Sequence, residues 1–481
     1  MFAPHDWIAC LAEEGLLDRL FGTPMQIQDF WNQVLDDDPK FHRNPIRTVP
    51  GWNKLFVPIE YHGDAAPHQK HDTLDTSSMR SLLSLLPVEI SSLLISSIPS
   101  ACKASRKICK ERGVEVIGDT EEELGIFASW SFTAIYNGKN PKLDSHRRSV
   151  AGKYLDPVHR RRFIIWAAPA DNEHNAIRYH LPHYASEEPC MSCPANRKDM
   201  PFNDNGEDAK WRSCCYTAED KFHVYKYHWL LSVPGFTPST FSYDPMHTQE
   251  LGPSGAAVAN VFFDLTKKEF KGLMSARIAK LNEEIKAAYD ELGIKENRVC
   301  VLDYKHFSNK EAPFQNDPDL MHSVIKARQT RYLVPVAAKL CRKFHSKRNP
   351  YSTARLKCLE SLATSYDIVD AHGLFLETDT EKYQQCIHDF VINFSKLAAI
   401  ASHNKEKQWA VKPKLHYTAH IGLDARWLSP KAVWAYRGES MVGSISALAA
   451  SCLRSTPPHR VPAAVCSKYR IGKHLQFKFG M

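Results

Sequence analysis

The sequence predicts an α/β fold in which a mixed-sheet core is interrupted by a large, mostly helical insertion that carries zinc. Two strand-like segments, 55–61 and 163–168, are each followed at short range by an aspartate. A long region with helical periodicity comes next, and its last helix begins directly after a glutamate. A cysteine pair precedes this helical region and a histidine pair lies near its end. Alternating and helical apolar periods distinguish the two kinds of element.

The composition is that of a globular protein, and its basic excess is small enough to be common also on proteins that touch no nucleic acid. The chain has 481 residues, of which 43% are hydrophobic, so it can form one large domain with insertions or several ordinary ones. A net charge of +8 favours an anionic partner without specifying one. Neither a secretory signal nor a membrane-spanning apolar segment is predicted. Thirteen cysteines without a small-protein framework are typical of a reducing compartment, which predicts an intracellular protein.

The first strand-like segment leads directly to an aspartate. Residues 1–54 read as a partly helical lead-in, after which Val57, Ile59 and Tyr61 fall on one face of a strand. Pro58 indicates an edge or a bulge. The strand runs into His62, Gly63 and Asp64, so we expect Asp64 close to a strand end.

A helix and a second strand follow. The segment 121–136 has a helical pattern, and 163–168 reads as a short buried strand bounded by a proline. This strand delivers Asp171 at its carboxyl end. Between Cys190 and Tyr216 the chain is polar and irregular, as expected of a loop organised by a metal ion.

Three stripes of apolar residues at helical spacing complete the chain. They run from Phe270 to Tyr289, from Tyr383 to Leu397 and from Met441 to Cys452. The third begins directly after Glu439, which places this carboxylate in the first turn of a helix. The predicted segments are therefore a helical lead-in, the first part of the core, a zinc-bearing helical insertion, and a C-terminal core helix and tail. Their bounds are 1–54, 55–189, 190–425 and 426–481.

The cysteine and histidine pairs predict one structural zinc site. Cys190 and Cys193 have the spacing Cys-x-x-Cys, and His416 and His420 have the spacing His-x-x-x-His. Thiolates and neutral imidazoles are the preferred ligands of tetrahedral zinc, and these spacings allow each pair to reach one ion. The alternative is that the histidines, one helical turn apart, are ordinary core or surface residues.

Three acidic residues predict a second metal site. Asp64, Asp171 and Glu439 would together hold two Mg²⁺ or Mn²⁺ ions, because hard divalent cations prefer oxygen ligands. Two such ions about 4 Å apart catalyse displacement at phosphodiesters. Each aspartate could instead simply terminate its strand or cap a helix. Asp244, with His247, is an alternative metal ligand to Asp171, or else Asp244 caps the helix that follows it.

Basic residues are concentrated in two stretches. The first precedes the Asp171 strand, where Lys and Arg side chains could contact the phosphates of DNA. Its residues are Arg147, Arg148, Lys153, Arg160, Arg161 and Arg162. The second stretch contains Arg342, Lys343, Lys347 and Arg348. A solvated surface is the alternative reading of both.

The order of these motifs carries a family resemblance. The motifs are Tyr61-His62-Gly63-Asp64, Ala170-Asp171, Cys190-x-x-Cys193, Tyr243-Asp244-Pro245-Met246-His247 with Leu251-Gly252, His416-x-x-x-His420 and Gly438-Glu439. Together they resemble the CACTA-type DDE transposases, and they are distantly similar to the catalytic core of the V(D)J recombinase. The similarity extends in short islands from about Leu55 to Lys473. It implies an RNase H-like core interrupted by a helical, zinc-bearing insertion.

The resemblance also implies roles. Asp64, Asp171 and Glu439 would be catalytic ligands of two Mg²⁺ or Mn²⁺ ions, and the cysteine and histidine pairs would bind structural zinc. The expected activity is endonucleolytic cleavage and strand transfer on DNA in the nucleus, by a protein that could form a homo-oligomer. Ala65 stands where the family usually has a second glycine. A catalytically inactive, domesticated remnant that binds DNA or protein is therefore the alternative.

Overall fold

The computed structural model describes residues 1–69, 72–104, 110–111, 119–143, 152–225, 228–307, 317–371, 373–453 and 456–479. The chain divides into two compact units, and each is described by itself. The sheet unit comprises Met1–Leu181, Thr217–Ser242 and Ala435–Met481. The helical unit comprises Pro182–Tyr216 and Tyr243–Trp434. Residues Thr217–Ser242, which lie within the predicted segment 190–425, belong to the sheet unit.

A five-stranded mixed sheet has the order β3-β2-β1-β4-β5. The strands are β1 (Phe56–Gln69), β2 (Asp72–Ser81), β3 (Leu93–Pro99), β4 (Arg162–Ala170) and β5 (Phe241–Tyr243). The first three form an antiparallel meander, whereas β4 runs parallel to β1. A parallel neighbour requires a crossover connection, and the chain between β3 and β4 contains a helix. Strands are present at both predicted positions, 55–61 and 163–168. However, β1 continues to Gln69, so Asp64 lies inside the strand and pairs with Thr76, and the expectation that it lies close to a strand end is wrong.

Helices of the sheet unit cover the strands. They are α1 (Pro4–Glu13), α2 (Leu17–Phe21), α3 (Pro24–Gln33), α4 (Trp52–Leu55), α5 (Val88–Ser91), α6 (Thr120–Asn137), α7 (Asn172–Arg178), α8 (Ala218–Val224), α15 (Tyr436–Cys452) and α16 (Val461–Phe479). Successive side chains of β1 point to opposite sides of the sheet. Tyr61 packs edge-on against Phe132 of α6, with ring centroids 5.9 Å apart, and His62 contacts Gly438 of α15. Strand β1 therefore lies between α6 and α15.

The ends of α6 are determined by local sequence. Asp119 accepts a hydrogen bond from the backbone N–H of Glu121 and so caps the first turn, which is rich in acidic residues. Gly138 ends the helix in the left-handed conformation, with φ +66°. The helix predicted at 121–136 is confirmed.

The helical unit is built from α9 (Gly255–Asp264), α10 (Met274–Glu291), α11 (Ala327–Lys343), α12 (Pro350–Ala371), α13 (Glu377–His403) and α14 (Pro413–Asp424). Helix α9 is buried along its entire length, which explains its uniformly apolar and small composition. The stripes predicted at 383–397 and 270–289 lie on α13 and mainly on α10, but Phe270 precedes the α10 helix.

The observed fold is therefore α/β and rich in helix, with one mixed sheet, as the sequence predicts at this level. Among the described residues, no helix is both long enough and apolar enough to cross a membrane.

Candidate functional site

Asp64 lies within β1, and Asp171 directly follows β4, the parallel neighbour of β1. The parallel register of β1 and β4 extends to the pair Glu60 and Ala167. Asp64 lies four residues beyond Glu60, and Asp171 lies four residues beyond Ala167. Both carboxylates are partly exposed.

Asp171 is also the N-cap of α7. Its Oδ1 accepts a hydrogen bond from the backbone N–H of His174. The capping role that we considered as an alternative is therefore present. The cap fixes the direction of the carboxylate, and one capping oxygen does not prevent a carboxylate from binding a metal ion.

Two close contacts join the segments that carry the acids. A Cβ atom on Gly63 would lie 2.9 Å from His174 Nε2, so the residue before Asp64 touches the first turn of α7. A Cβ atom on Gly438 would overlap the imidazole ring of His62, so the residue before Glu439 packs flush against β1. Glu439 itself is partly exposed in the first turn of α15. These contacts place the residue before Asp64 beside α7 and the residue before Glu439 beside β1.

The histidines around this neighbourhood carry no compensating charge at neutral pH. Burial lowers the pKa of His174 to about 3, although the nearby charge of Asp64 opposes this shift. Burial also lowers the pKa of His228 to about 4. Among the described residues, neither Asp64 nor Asp171 forms a salt bridge. These two aspartates therefore have no salt-bridge cation among the described residues, which suits a site for a bound cation.

Two side chains near the acids escaped the sequence analysis. Burial raises the pKa of Tyr179 well above its ordinary value, and the charges of Tyr61, Asp64 and Asp171 add to the effect. The Tyr179 hydroxyl is buried and has no hydrogen-bond partner among the described residues. Both polar atoms of the Asn172 side chain are likewise buried and have no hydrogen-bond partner among the described residues. Buried polar groups usually have partners, so these atoms point to an additional polar ligand or water.

The second predicted site is a closed Cys₂His₂ cluster. Cys190 and Cys193 lie on an irregular segment, and His416 and His420 lie one turn apart on α14. All four are buried, and their ligand atoms lie within 4.8 Å of one another. The cluster could hold a metal ion such as zinc.

The distances within the cluster match tetrahedral zinc. The two Nε2 atoms are 3.2 Å apart, and each lies 3.3 Å from Cys193 Sγ. A tetrahedron with the bond lengths of zinc separates two nitrogens by about 3.3 Å and a nitrogen from a sulfur by about 3.6 Å. The geometry therefore fits one ion at the centre.

The surroundings of the cluster favour a thiolate. Burial acts to raise the pKa of Cys190, but hydrogen bonding with Cys193 and both histidines and the charge of His420 hold it well below its ordinary value. The backbone N–H of Ser192 and the hydroxyl of Tyr243 donate to Cys190 Sγ at 3.2 and 3.4 Å. Such contacts orient and tune a metal ligand.

Aromatic rings enclose the cluster. Trp211 packs edge-on against the His416 ring, with centroids 4.4 Å apart, and Tyr243 stacks on Tyr417 at 4.6 Å. Since all four ligands are buried beneath these rings, the site has the closed character of structural zinc and offers no open coordination position.

Asp244 and His247, the alternative metal ligands predicted from the sequence, are hydrogen-bonded to each other. Asp244 is fully buried, and its Oδ2 accepts hydrogen bonds from the backbone N–H and the ring Nδ1 of His247 at 2.9 and 2.8 Å. This is the geometry of a helix-capping aspartate, directly before the π-helical segment Met246–Ser254.

The side chains of the first basic stretch differ in their exposure to solvent. Arg147 and Arg148 lie outside the described residues. Lys153 and Arg160 are exposed, whereas Arg162 is partly buried at the start of β4. Arg161 is 2% exposed and forms salt bridges with Asp156 and Asp18. Its guanidinium is engaged inside the protein, so we omit Arg161 from the candidate DNA contacts.

Comparison with known proteins yields no relative. No protein-family model matches the chain, and no curated protein matches it.

Proposed function

We propose that the protein is a transposase-like DNA endonuclease and strand transferase with a DDE site formed by Asp64, Asp171 and Glu439. The observation that carries this proposal is the pair of close contacts around the acids, Gly63 with His174 and Gly438 with His62. Each contact lies within three residues of an acid. Both contacts involve the β1 segment that carries Asp64, which supports the convergence of the three acids that a two-metal site requires.

The sheet supports an RNase H-like core as the fold of this unit. Strand β1 is central, β4 is its parallel neighbour, and α15 packs on one face of β1. Asp64 lies on β1, Asp171 directly follows β4, and Glu439 lies in the first turn of α15. It agrees with what the resemblance to CACTA-type DDE transposases implies.

The residues present suit Mg²⁺ or Mn²⁺. Such ions prefer carboxylate oxygens, and Asp64 and Asp171 have no salt-bridge partner among the described residues. When bound, the ions would activate the attacking water and stabilise the leaving oxygen.

The chain itself would orient the reaction. Asp64 is held on a strand that is hydrogen-bonded to β2, and the α7 cap fixes Asp171. The Tyr179 hydroxyl, which is buried and within electrostatic reach of Asp64 and Asp171, would donate a hydrogen bond at the site. Water would attack a phosphodiester at an element end, and the released 3′ hydroxyl would then attack target DNA. Neither of these two reaction steps requires a covalent protein intermediate.

The Cys₂His₂ cluster would bind one structural zinc ion. Its ligands lie on the 182–216 segment and on α14, so zinc would fix an irregular loop to a helix of the helical unit. Exposed Lys153 and Arg160 are candidate contacts to DNA phosphates, together with Arg147 and Arg148 from the sequence prediction. A nuclear location and a homo-oligomeric state belong to the same proposal.

Nicking of supercoiled DNA with Mn²⁺ tests the proposal. We expect Asp64→Asn, Asp171→Asn and Glu439→Gln each to abolish nicking, because each removes a negatively charged metal ligand. Asparagine caps helices as well as aspartate does, so Asp171→Asn separates the metal role from the cap. Glu173→Gln, which changes an exposed acid in α7, is the matched control and should nick normally.

Other outcomes of the nicking assay are equally informative. Retained nicking by Asp171→Asn together with loss by Asp244→Asn would transfer the metal role to Asp244. Absence of nicking by the unsubstituted protein would favour the alternative function, an inactive remnant that binds DNA or protein. Ala65, in the place of the family's second glycine, is the observation that favours this alternative.

A further inference from the structure

In the second basic stretch of the sequence, some residues form salt bridges and others do not. Arg342 pairs with Glu360, and Lys343 pairs with Glu284. Lys347 and Arg348, only a few residues further along the chain, form no salt bridge among the described residues, and neither does Lys357. Carboxylates therefore neutralise Arg342 and Lys343. Lys347, Arg348 and Lys357 have no such counter-charge among the described residues.

The uncompensated cations share one cavity. Lys347, Arg348 and Lys357 line a cavity of about 320 Å³ in the helical unit. Thr353 and Asn393 contribute a hydroxyl and an amide to its wall. None of the lining residues is acidic. The Thr353 hydroxyl and the Asn393 amide each already donate to a backbone carbonyl, of Asn349 and Asp389. Three positive charges thus face the same space, which is the chemistry of an anion site.

The start of α12 adds to the positive potential. Pro350, the first residue of this 22-residue helix, also lines the cavity. The amino-terminal end of a helix carries a partial positive charge. The helix end alone would not define a site, but here it coincides with the three cations.

We propose that this cavity binds a phosphodiester group of duplex DNA, and that it forms a DNA contact of the helical unit. The inference rests on the proposed function, because the anion is identified as DNA through the proposed nuclease activity. Lys and Arg side chains neutralise backbone phosphates without reading sequence. The contact therefore strengthens binding to all sequences alike.

The dependence of DNA affinity on salt tests this inference. The full chain is titrated with a labelled duplex of mixed sequence at several KCl concentrations, without added divalent ions. Each phosphate contact contributes about 0.9 to the slope of log affinity against log salt. We expect Lys347→Ala/Arg348→Ala/Lys357→Ala to reduce the slope by about 2 to 3. Lys→Arg substitutions at 347 and 357 should retain it.

A charge-matched control separates a site from net charge. Lys339→Ala/Arg342→Ala/Lys343→Ala also removes three positive charges, but these side chains are already paired with Glu291, Glu360 and Glu284. We expect this variant to change the slope by less than the value of about 0.9 that one phosphate contact contributes. Equal effects of both triple variants would overturn the inference, as would an unchanged slope in the cavity variant.

Small anions distinguish the source of the phosphate. At constant ionic strength, inorganic pyrophosphate should compete only weakly with DNA for the unsubstituted protein. Strong competition that the cavity variant abolishes would assign the cavity to a small phosphate compound and contradict a DNA contact. Failure of the proposed function is recognised separately. If Asp64→Asn abolishes nicking but the cavity variant leaves the salt slope unaltered, the proposed function stands. Only the DNA contact at the cavity is then rejected.

Discussion

At the scale of single residues, Tyr179 is the side chain whose role the structure argues most directly. Its hydroxyl is buried near Asp64 and Asp171 and has no partner among the described residues. A hydrogen bond to a charged group contributes about 1.5–3 kcal/mol. We therefore expect Tyr179→Phe to reduce nicking about ten- to a hundredfold while leaving the Tm unchanged or slightly higher.

Tyr136→Phe is the matched control for this substitution. The Tyr136 hydroxyl is also buried without a partner among the described residues, but the charge that acts on it is that of Arg162. Both variants should fold equally well, and Tyr136→Phe should nick normally. Equal activity of the two variants would remove Tyr179 from the site.

A second residue-scale prediction concerns the dependence of stability on pH. Burial lowers the pKa of His228 to about 4, and its Nδ1 accepts a hydrogen bond from the backbone N–H of Leu230. The unfolded chain binds a proton near pH 6.5 and the folded protein does not. His228 therefore lowers the free energy of unfolding as the pH falls from about 6.5 to about 4, by up to roughly 3 kcal/mol.

The variant His228→Asn should weaken this acid sensitivity, since asparagine retains the cap and cannot be protonated in this range. Urea unfolding at pH 7 and pH 5 measures the effect. His223→Asn, at an exposed position on α8, should keep the pH dependence of the unsubstituted protein. An equal pH dependence in His228→Asn would contradict the assignment.

At the scale of elements, the packing of α15 on β1 positions Glu439. A Cβ atom on Gly438 would overlap the His62 ring, whereas a Cβ atom on Gly443 in the same helix meets nothing within 4 Å. Gly438→Ala should reduce the free energy of unfolding by about 1–3 kcal/mol, as overpacking does, and impair nicking. Gly443→Ala should stabilise by up to about 1 kcal/mol. Similar effects of both substitutions would show that α15 does not depend on this contact.

The zinc cluster makes a separate element-scale prediction. Cys190→Ser should reduce bound zinc from about one ion per chain to a small fraction of it and should lower the Tm, because metal binding contributes to folding. Metal analysis and thermal unfolding measure both quantities. Cys214→Ser, at an exposed cysteine outside the cluster, should change neither. Full zinc content in Cys190→Ser would contradict the assignment of the ligands.

The sequence predicted those elements that local patterns encode. Strand β4, helix α6 and the position of Glu439 in the first turn of α15 follow from apolar periodicity and capping residues, and the Cys₂His₂ cluster follows from the spacing of its residues. The contact of Gly438 with His62 could not be predicted, because it depends on how distant elements pack. Arg161 shows the same limit, since its burial depends on Asp18, far away in the chain.

At the scale of the whole molecule, the residues of the two proposed metal sites belong to different units. The acids lie in the sheet unit and the zinc ligands lie in the helical unit. Asp64→Asn should therefore leave zinc content unchanged and should not lower the Tm without divalent ions, because it relieves repulsion between carboxylates.

Stabilisation by added Mn²⁺ provides the readout for this prediction. Saturating Mn²⁺ at about a hundred times its Kd should stabilise the unsubstituted protein by about 2.7 kcal/mol per site. Asp64→Asn should lose this stabilisation, whereas Glu173→Gln should keep it. Equal stabilisation of all three proteins would place the ions elsewhere.

The central claim is that Asp64, Asp171 and Glu439 together hold two divalent ions. Anomalous diffraction from crystals of the full chain soaked in Mn²⁺ tests it most directly. We expect two manganese peaks about 4 Å apart between the three carboxylates, and a zinc peak at the Cys₂His₂ cluster. A zinc peak with no manganese between the carboxylates, or manganese bound at Asp244 instead, would contradict the account.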